Sequence, residues 1–151
     1  MKYVVALGSN LGDRESILHS AIESIRSFSD IKAVSSFYDT APVGGPDQPN
    51  YLNAVLITFA ELSPEVFLSK LQDIENSAGR TREVRWGART LDLDVITAGG
   101  VIQESEFLTL PHPRAHERTF VLAPWLEIEP EAELPGLGSA QSLFAGLSSQ
   151  E

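Results

Sequence analysis

Residues 3–7 form a short unbroken apolar run, the pattern of a strand buried on both faces, and the run stops at Gly8. Asp13 then stands where it can cap a helix whose buried stripe is Ile17, Leu18, Ala21, Ile22, Ile25 and Phe28, with His19 off the stripe and at the surface. Residues 31–38 are β-branched and aromatic and read as one strand; residues 52–59 read as a second of the same kind. The connection between them, residues 40–50, holds three prolines and two glycines. That is more than a tight hairpin needs and marks a functional loop.

Ser63-Pro64-Glu65 is a helix start, combining a capping hydroxyl, a proline at the first helical position and an acid in the first turn. Phe67, Leu68, Leu71, Ile74 and Ala78 supply its buried stripe, and Gly79 is the expected stop. Residues 91–96 form a further strand followed by a turn at Ala98-Gly99-Gly100. The order strand, helix, strand, strand, helix, strand predicts an α+β ferredoxin-like βαββαβ sandwich, with two helices on one face of an antiparallel sheet and the other face free for ligands. The tail adds short C-terminal helices around residues 120–126 and 140–147. The 151 residues contain no linker or repeat and fit a single domain, 1–151.

Within that frame Asp92 and Asp94 lie two apart on a strand, so both carboxylates leave one face while Leu91, Leu93 and Val95 enter the core from the other. Two such charges about 5 Å apart repel by roughly 3 kcal/mol at an effective dielectric near 20, a penalty that a bridging divalent cation removes. Hard oxygen ligands favour Mg²⁺, which keeps waters and completes its shell with nucleotide phosphates.

Charge then changes the picture. The chain carries a formal net charge of −10, which argues against general nucleic-acid binding. Yet six of its 11 Lys and Arg residues are Arg80, Arg82, Arg85, Arg89, Arg114 and Arg118. Interleaved with Trp86, Gly87 and the two aspartates, they point to an anion site in which guanidinium forks and metal stabilise a phosphoryl-type transfer. His112 and His116, among two prolines and two arginines, belong to the same anion-facing region. Tyr51 and Asn53 share one strand face, giving an aromatic platform beside a bidentate amide. There is no Walker loop, no Gly-x-Ser-x-Gly and no His-Glu-x-x-His. No cysteine is present, which is compatible with a reducing compartment. No run approaches a membrane span of about 20 apolar residues, so a cytoplasmic protein without membrane contact is expected.

Gly8-Ser9-Asn10, Ser35-Ser36-Phe37-Tyr38, Gln48-Pro49-x-Tyr51-Leu52-Asn53, Arg85-Trp86-Gly87-Ala88-Arg89-Thr90-Leu91-Asp92-Leu93-Asp94 and Pro111-His112-Pro113-Arg114 together make the chain resemble the hydroxymethyldihydropterin pyrophosphokinases of folate biosynthesis. The resemblance implies pyrophosphoryl transfer from ATP to the hydroxymethyl group of 6-hydroxymethyl-7,8-dihydropterin, with release of AMP. It implies two Mg²⁺ ions on Asp92 and Asp94, and phosphate contacts from Arg80, Arg82, Arg89, His112 and Arg118. Gln72 and Glu75 fall where the family contacts the nucleotide. The pterin is expected between Tyr51 and Phe120, with Trp86 closing over it and Asn53 and the backbone from Thr40 to Val43 on its amide edge. The family usually has proline at the position of Ala88 and commonly arginine at that of Asn76. A monomer acting on small molecules is the expectation. The rival readings are an RNA-recognition module, which shares the element order but needs a basic sheet face, and a metal-dependent phosphohydrolase.

Overall fold

A computed structural model of the chain describes residues 1–10, 12–41, 50–78 and 91–148. The central sheet is built from β1 (Lys2–Ser9), β2 (Asp30–Val34), β3 (Tyr38–Thr40), β4 (Tyr51–Phe59) and β5 (Asp92–Ala98). Its order is β2-β4-β1-β5, with β3 also paired to β4, and every pairing is antiparallel. This is the ferredoxin-like arrangement that the element order predicts.

Helices α1 (Arg14–Arg26) and α2 (Pro64–Ser77) cover one face. Each starts as its sequence dictates: Asp13 accepts the Ser16 amide at 3.2 Å and Ser63 the Val66 amide at 3.3 Å, satisfying donors that the first helical turn leaves open. Gly12, at φ 75°, lies in the left-handed region just before the first cap. Tyr3, Val5 and Leu7 of β1 and Leu93 and Val95 of β5 meet Leu18, Ile22, Ile25, Phe67 and Leu71 in this layer. Tyr3 and Phe67 stack at 3.9 Å between ring centroids.

Two expectations need correction. The strand read over residues 31–38 is two strands with a break at residues 35–37. Ser35 accounts for it: its hydroxyl accepts the Val55 amide at 2.9 Å while its own amide donates to the Val55 carbonyl at 2.8 Å. A side chain thus takes over one rung of the ladder, and the chain leaves β4 there. α2 ends at Ser77 with Ala78 as its C-cap, before Gly79, which lies outside the described residues.

The second correction concerns the other sheet face, which is not free. α3 (Thr119–Ile128) and α4 (Ala140–Ser148) pack across it. Val4, Val55, Ile57 and Ile96 are buried there with Val121, Leu122, Trp125, Leu134 and Ala140. The tail helices fall where the sequence puts them, but periodicity alone could not say that their apolar sides close the sheet. Of two small hairpins, β8 (Glu133–Leu134) with β9 (Gly138–Ser139) joins this layer, while β6 (Gln103–Glu104) with β7 (Thr109–Leu110) packs on the α1–α2 side through Leu108 and Leu110. Among the described residues no helix is long and apolar enough to cross a membrane.

Candidate active site

α3 and α4 cover most of the second face, and the end of the sheet beyond Ala6 stays open. Here β1, β4 and β5 lie side by side, and Gly8 pairs with Asn53 on one side and Asp92 on the other. A cleft of about 480 Å³ opens at this point, lined by Gly8, Tyr51, Asn53, Asp92, Asp94, Arg114, Glu117, Arg118 and Phe120 among others. Asn53 and Asp92, 39 positions apart in sequence, meet across one glycine.

Gly8 is required by close approach. A Cβ built on it would lie 2.9 Å from Asn53 Oδ1 and 3.6 Å from Tyr51 Cδ1, so any side chain there would push the amide aside. Asn53 is buried, at 7% exposure, and its Nδ2 donates to Thr40 Oγ1 on the adjacent β3. Tyr51, opposite Thr40 in the register, stands beside it on the same face. Phe120 comes in from the start of α3, with the Arg118 guanidinium 5.6 Å from its ring centroid, within cation–π range.

Across the cleft, Asp92 and Asp94 leave the same side of β5. The segment after β7 turns back along this edge strand, the His112 amide donating to the Ile96 carbonyl at 2.9 Å. This places His112 Nε2 3.8 Å from Asp94 Oδ1, and Arg118 reaches Asp94 Oδ2 at 4.0 Å. The His112 Nδ1 accepts the Arg114 amide at 3.2 Å, so a neutral ring carries its proton on Nε2, facing Asp94. Burial holds the imidazole below its ordinary pKa; Asp94 opposes that, and Arg118 and Arg114 reinforce it.

The donor set suits one class of metal. Two carboxylates share one strand face, and no cluster of three or more His, Cys, Asp or Glu exists among the described residues. A structural zinc site would need four protein ligands. Mg²⁺ needs only one or two carboxylates and completes its shell with waters and substrate phosphates, which fits Asp92 and Asp94 at an open cleft.

The structure thus gathers Tyr51, Asn53, Thr40, Phe120, Asp92, Asp94, His112 and Arg118 around one opening. It does not bring Gln72 or Glu75 into the cleft lining. Gln72 is exposed on α2, and the buried Glu75 instead accepts the Leu93 amide at 2.9 Å on the outer edge of β5. Arg80, Arg82, Arg85, Trp86, Arg89 and Val43 lie outside the described residues. Sequence reasoning assigned no part to Gly8 or Glu117; a glycine's central place in a sheet has no local signal.

A ferredoxin-like sandwich whose open sheet end joins two carboxylates, two arginines and an aromatic slot defines a site for a planar, anionic small-molecule reaction. Comparison with known proteins makes this specific. The 7,8-dihydro-6-hydroxymethylpterin-pyrophosphokinase (HPPK) family matches residues 4–130, and the chain belongs to that family. It is 47% identical over 133 residues to the 2-amino-4-hydroxy-6-hydroxymethyldihydropteridine pyrophosphokinase of Haemophilus influenzae, covering 87% of this chain and 83% of that one. The Bacillus subtilis protein of the same name is 47% identical, covering 85% and 78% respectively. The Mycobacterium leprae one is 44% identical over 161 residues, covering 99% and 83%. Among solved structures, Plasmodium falciparum HPPK-DHPS superposes with a TM-score of 0.79 at 12% identity, covering 99% of this chain and 43% of that longer one. At that identity the likeness speaks to the fold.

Proposed function

We propose that this chain, acting as one catalytic domain, transfers the terminal pyrophosphoryl group of ATP to the hydroxymethyl oxygen of 6-hydroxymethyl-7,8-dihydropterin in folate synthesis. The new bond joins that oxygen to the β-phosphorus; the bond from the β-phosphorus to the α–β bridging oxygen breaks, and AMP leaves with the electron pair. The single observation that carries the reading is the convergence of the Tyr51–Asn53–Phe120 slot with the Asp92–Asp94 pair across Gly8. A flat ring in the slot has its substituent directed along β1 toward the carboxylates.

The chain's own groups divide the work. Tyr51 and Phe120 hold the ring by its faces, and Asn53, oriented by Thr40, presents its amide to the ring edge. Asp92 and Asp94 are the groups that would hold two Mg²⁺ ions. Bound there, the metal would offset the repulsion of the carboxylates and the charge of the phosphates. Arg118 and His112 stand beside Asp94, where they meet phosphate oxygens and fix the transferring group in line. Arg80, Arg82 and Arg89, outside the described residues, are the further phosphate contacts of this reading, and Trp86 and Val43 its further pterin contacts. Gln72 and Glu75 act at the nucleotide side of β5, Glu75 through the strand edge it already holds.

Action as a monomer in a cytoplasmic setting belongs to the same proposal, and the cysteine-free composition fits a reducing compartment. α3 and α4 occupy the sheet face that an RNA-recognition module would use for base stacking.

Nucleotide product analysis tests the reading. With ATP, Mg²⁺ and the pterin alcohol, AMP should form in step with pterin diphosphate and be negligible without pterin. ADP with a monophosphorylated pterin would overturn the transfer, and pterin-independent ATP cleavage would make the protein a phosphohydrolase.

A further inference from the structure

Ser36 and Tyr38 flank the break between β2 and β3, and both turn to one carboxylate on α3. The Ser36 amide donates to the two oxygens of Glu127 at 3.2 and 3.0 Å, the Ser36 hydroxyl donates to Oε2 at 2.9 Å, and the Tyr38 hydroxyl donates to Oε1 at 2.6 Å. Three donors thus converge on one side chain across 89 to 91 positions of sequence. Charged acceptors make the stronger hydrogen bonds of folded proteins, and here the acceptor is fully engaged although it lies at the surface.

The position of this contact is informative. Tyr38 is the direct partner of Asn53 in the β3–β4 register, and Thr40 that of Tyr51. Opposed residues of an antiparallel pair project from the same face, so Tyr38 is the next side chain along the wall that carries Asn53, Thr40 and Tyr51. On the helix, Glu127 is seven residues from Phe120, two turns along the same side and about 10 Å away. One carboxylate therefore ties the wall of the cleft to the helix that forms its opposite side.

Local structure does not fix either side unaided. β3 has only three residues, and it leads into residues 42–49. In α3, Pro124 has no N–H to donate to the Phe120 carbonyl, so the turn that carries Phe120 lacks the bond that would join it to the next. The separation of the two walls must be set by a tertiary contact.

We propose that Glu127 is a positioning residue for the pterin: through Tyr38 and Ser36 it sets the width and alignment of the slot between the Thr40–Tyr51–Asn53 ledge and Phe120. This rests on the pyrophosphokinase reading above. Glu127 touches no substrate and acts only through the walls. A flat ring held between two faces is sensitive to their spacing, since stacking contact on both faces depends on it. ATP, bound chiefly at the β5 edge, depends on this spacing far less than the ring does.

The test compares wild type with Glu127→Ala, Glu127→Gln and Tyr38→Phe, measuring melting temperature, the Kd of a non-hydrolysable ATP analogue with Mg²⁺, and KM for the pterin. Wild type must first show pterin-dependent AMP formation; if it does not, the functional reading fails and not the clamp. Glu127→Ala should raise the pterin KM about tenfold, which is 1.4 kcal/mol of lost binding, with the analogue Kd within about twofold of wild type. Glu127→Gln keeps one acceptor oxygen and should recover part of the loss, and Tyr38→Phe should fall between. An unchanged pterin KM in Glu127→Ala overturns the proposal, as does an equal loss for both ligands. If Glu127→Ala does not fold, Tyr38→Phe decides by the same two readouts.

Discussion

Asp94 and Glu127 both stand on the α3 side of the sheet, and their surroundings differ sharply. Glu127 is surrounded by donors at 2.6 to 3.2 Å, while the basic groups nearest Asp94 among the described residues, the His112 imidazole and the Arg118 guanidinium, stand at 3.8 and 4.0 Å. Asp94 sits in a cleft beside a second carboxylate; Glu127 sits alone on a helix and closes a gap between elements. A carboxylate saturated by its own chain has no capacity left for a ligand and serves geometry. One whose counter-charges stand off at ion-pair distance is set to receive charge from outside. The difference lies in the neighbours, because both residues are ordinary acids on regular elements.

The sharpest way to break this comparison is to remove the cleft carboxylates. Asp92→Ala and Asp94→Ala should each lower turnover by roughly 10³-fold or more, since metal-held charge stabilisation is worth several kcal/mol. Neither should lower the melting temperature appreciably, because deletion of one of two like charges relieves repulsion. The clamp variants should show the opposite profile, with altered substrate affinity and a nearly intact chemical step. A steady-state assay at saturating Mg²⁺ beside a thermal melt separates them; near-normal turnover in Asp94→Ala would leave the two carboxylates without the functional difference drawn here.

A smaller effect is expected at the glycine between the two clusters. Asn53→Ala should weaken pterin binding by about 1–3 kcal/mol, the cost of leaving a polar ring edge unpaired, and leave ATP affinity unchanged. Gly8→Ala places a methyl against Asn53 Oδ1 and should weaken the pterin on the order of tenfold by turning that amide. If Gly8 acts through Asn53, the double variant should bind pterin no worse than Asn53→Ala alone, a coupling that a double-mutant cycle reads directly. Additive losses would mean that Gly8 serves the cleft in some other way.

The parts of this site that lie close together in the chain were legible in the sequence. Asp92 and Asp94 share a face because a strand has period two, and Tyr51 and Asn53 do so for the same reason. The helix starts at Asp13 and Ser63 were equally plain, since capping is chemistry within four residues. What sequence hid was tertiary. The covering of the second face by α3 and α4 depends on which apolar stripe meets which sheet face, and the break at Ser35 depends on a hydroxyl finding Val55 across the sheet. The bond from the Leu93 amide to Glu75 likewise depends on which strand α2 packs against. Ser36 and Tyr38 stood inside a quoted motif with no role, because their partner Glu127 is some 90 positions away.

The smallest expected effect is the pH dependence of the clamp. The hydrogen bond from Tyr38 holds the Glu127 carboxyl below its ordinary pKa, desolvation opposing it and the Ser36 amide and hydroxyl reinforcing it, and the same contact holds the Tyr38 hydroxyl above its own. The signs follow from linkage. A depressed carboxyl pKa means that the folded state favours the ionised form, so this stabilisation is present above the unfolded value and is lost as pH falls through the folded one. The raised phenol pKa means the reverse: its share is present below the unfolded value and is lost as pH rises through the folded one. The clamp is therefore complete between about pH 4.3 and pH 10, the ordinary values of the two groups. Because Glu127 is largely exposed, solvent screening limits the stabilisation to about 1 kcal/mol or less, or about 2–4 °C in Tm at this chain length. Melting curves of wild type and Glu127→Gln should differ by this amount near neutrality and converge in acid, where the carboxyl gains its proton and resembles the amide. A constant offset between the two down to the acid limit would show that the carboxylate's charge contributes nothing, and that Glu127 holds its partners by shape alone.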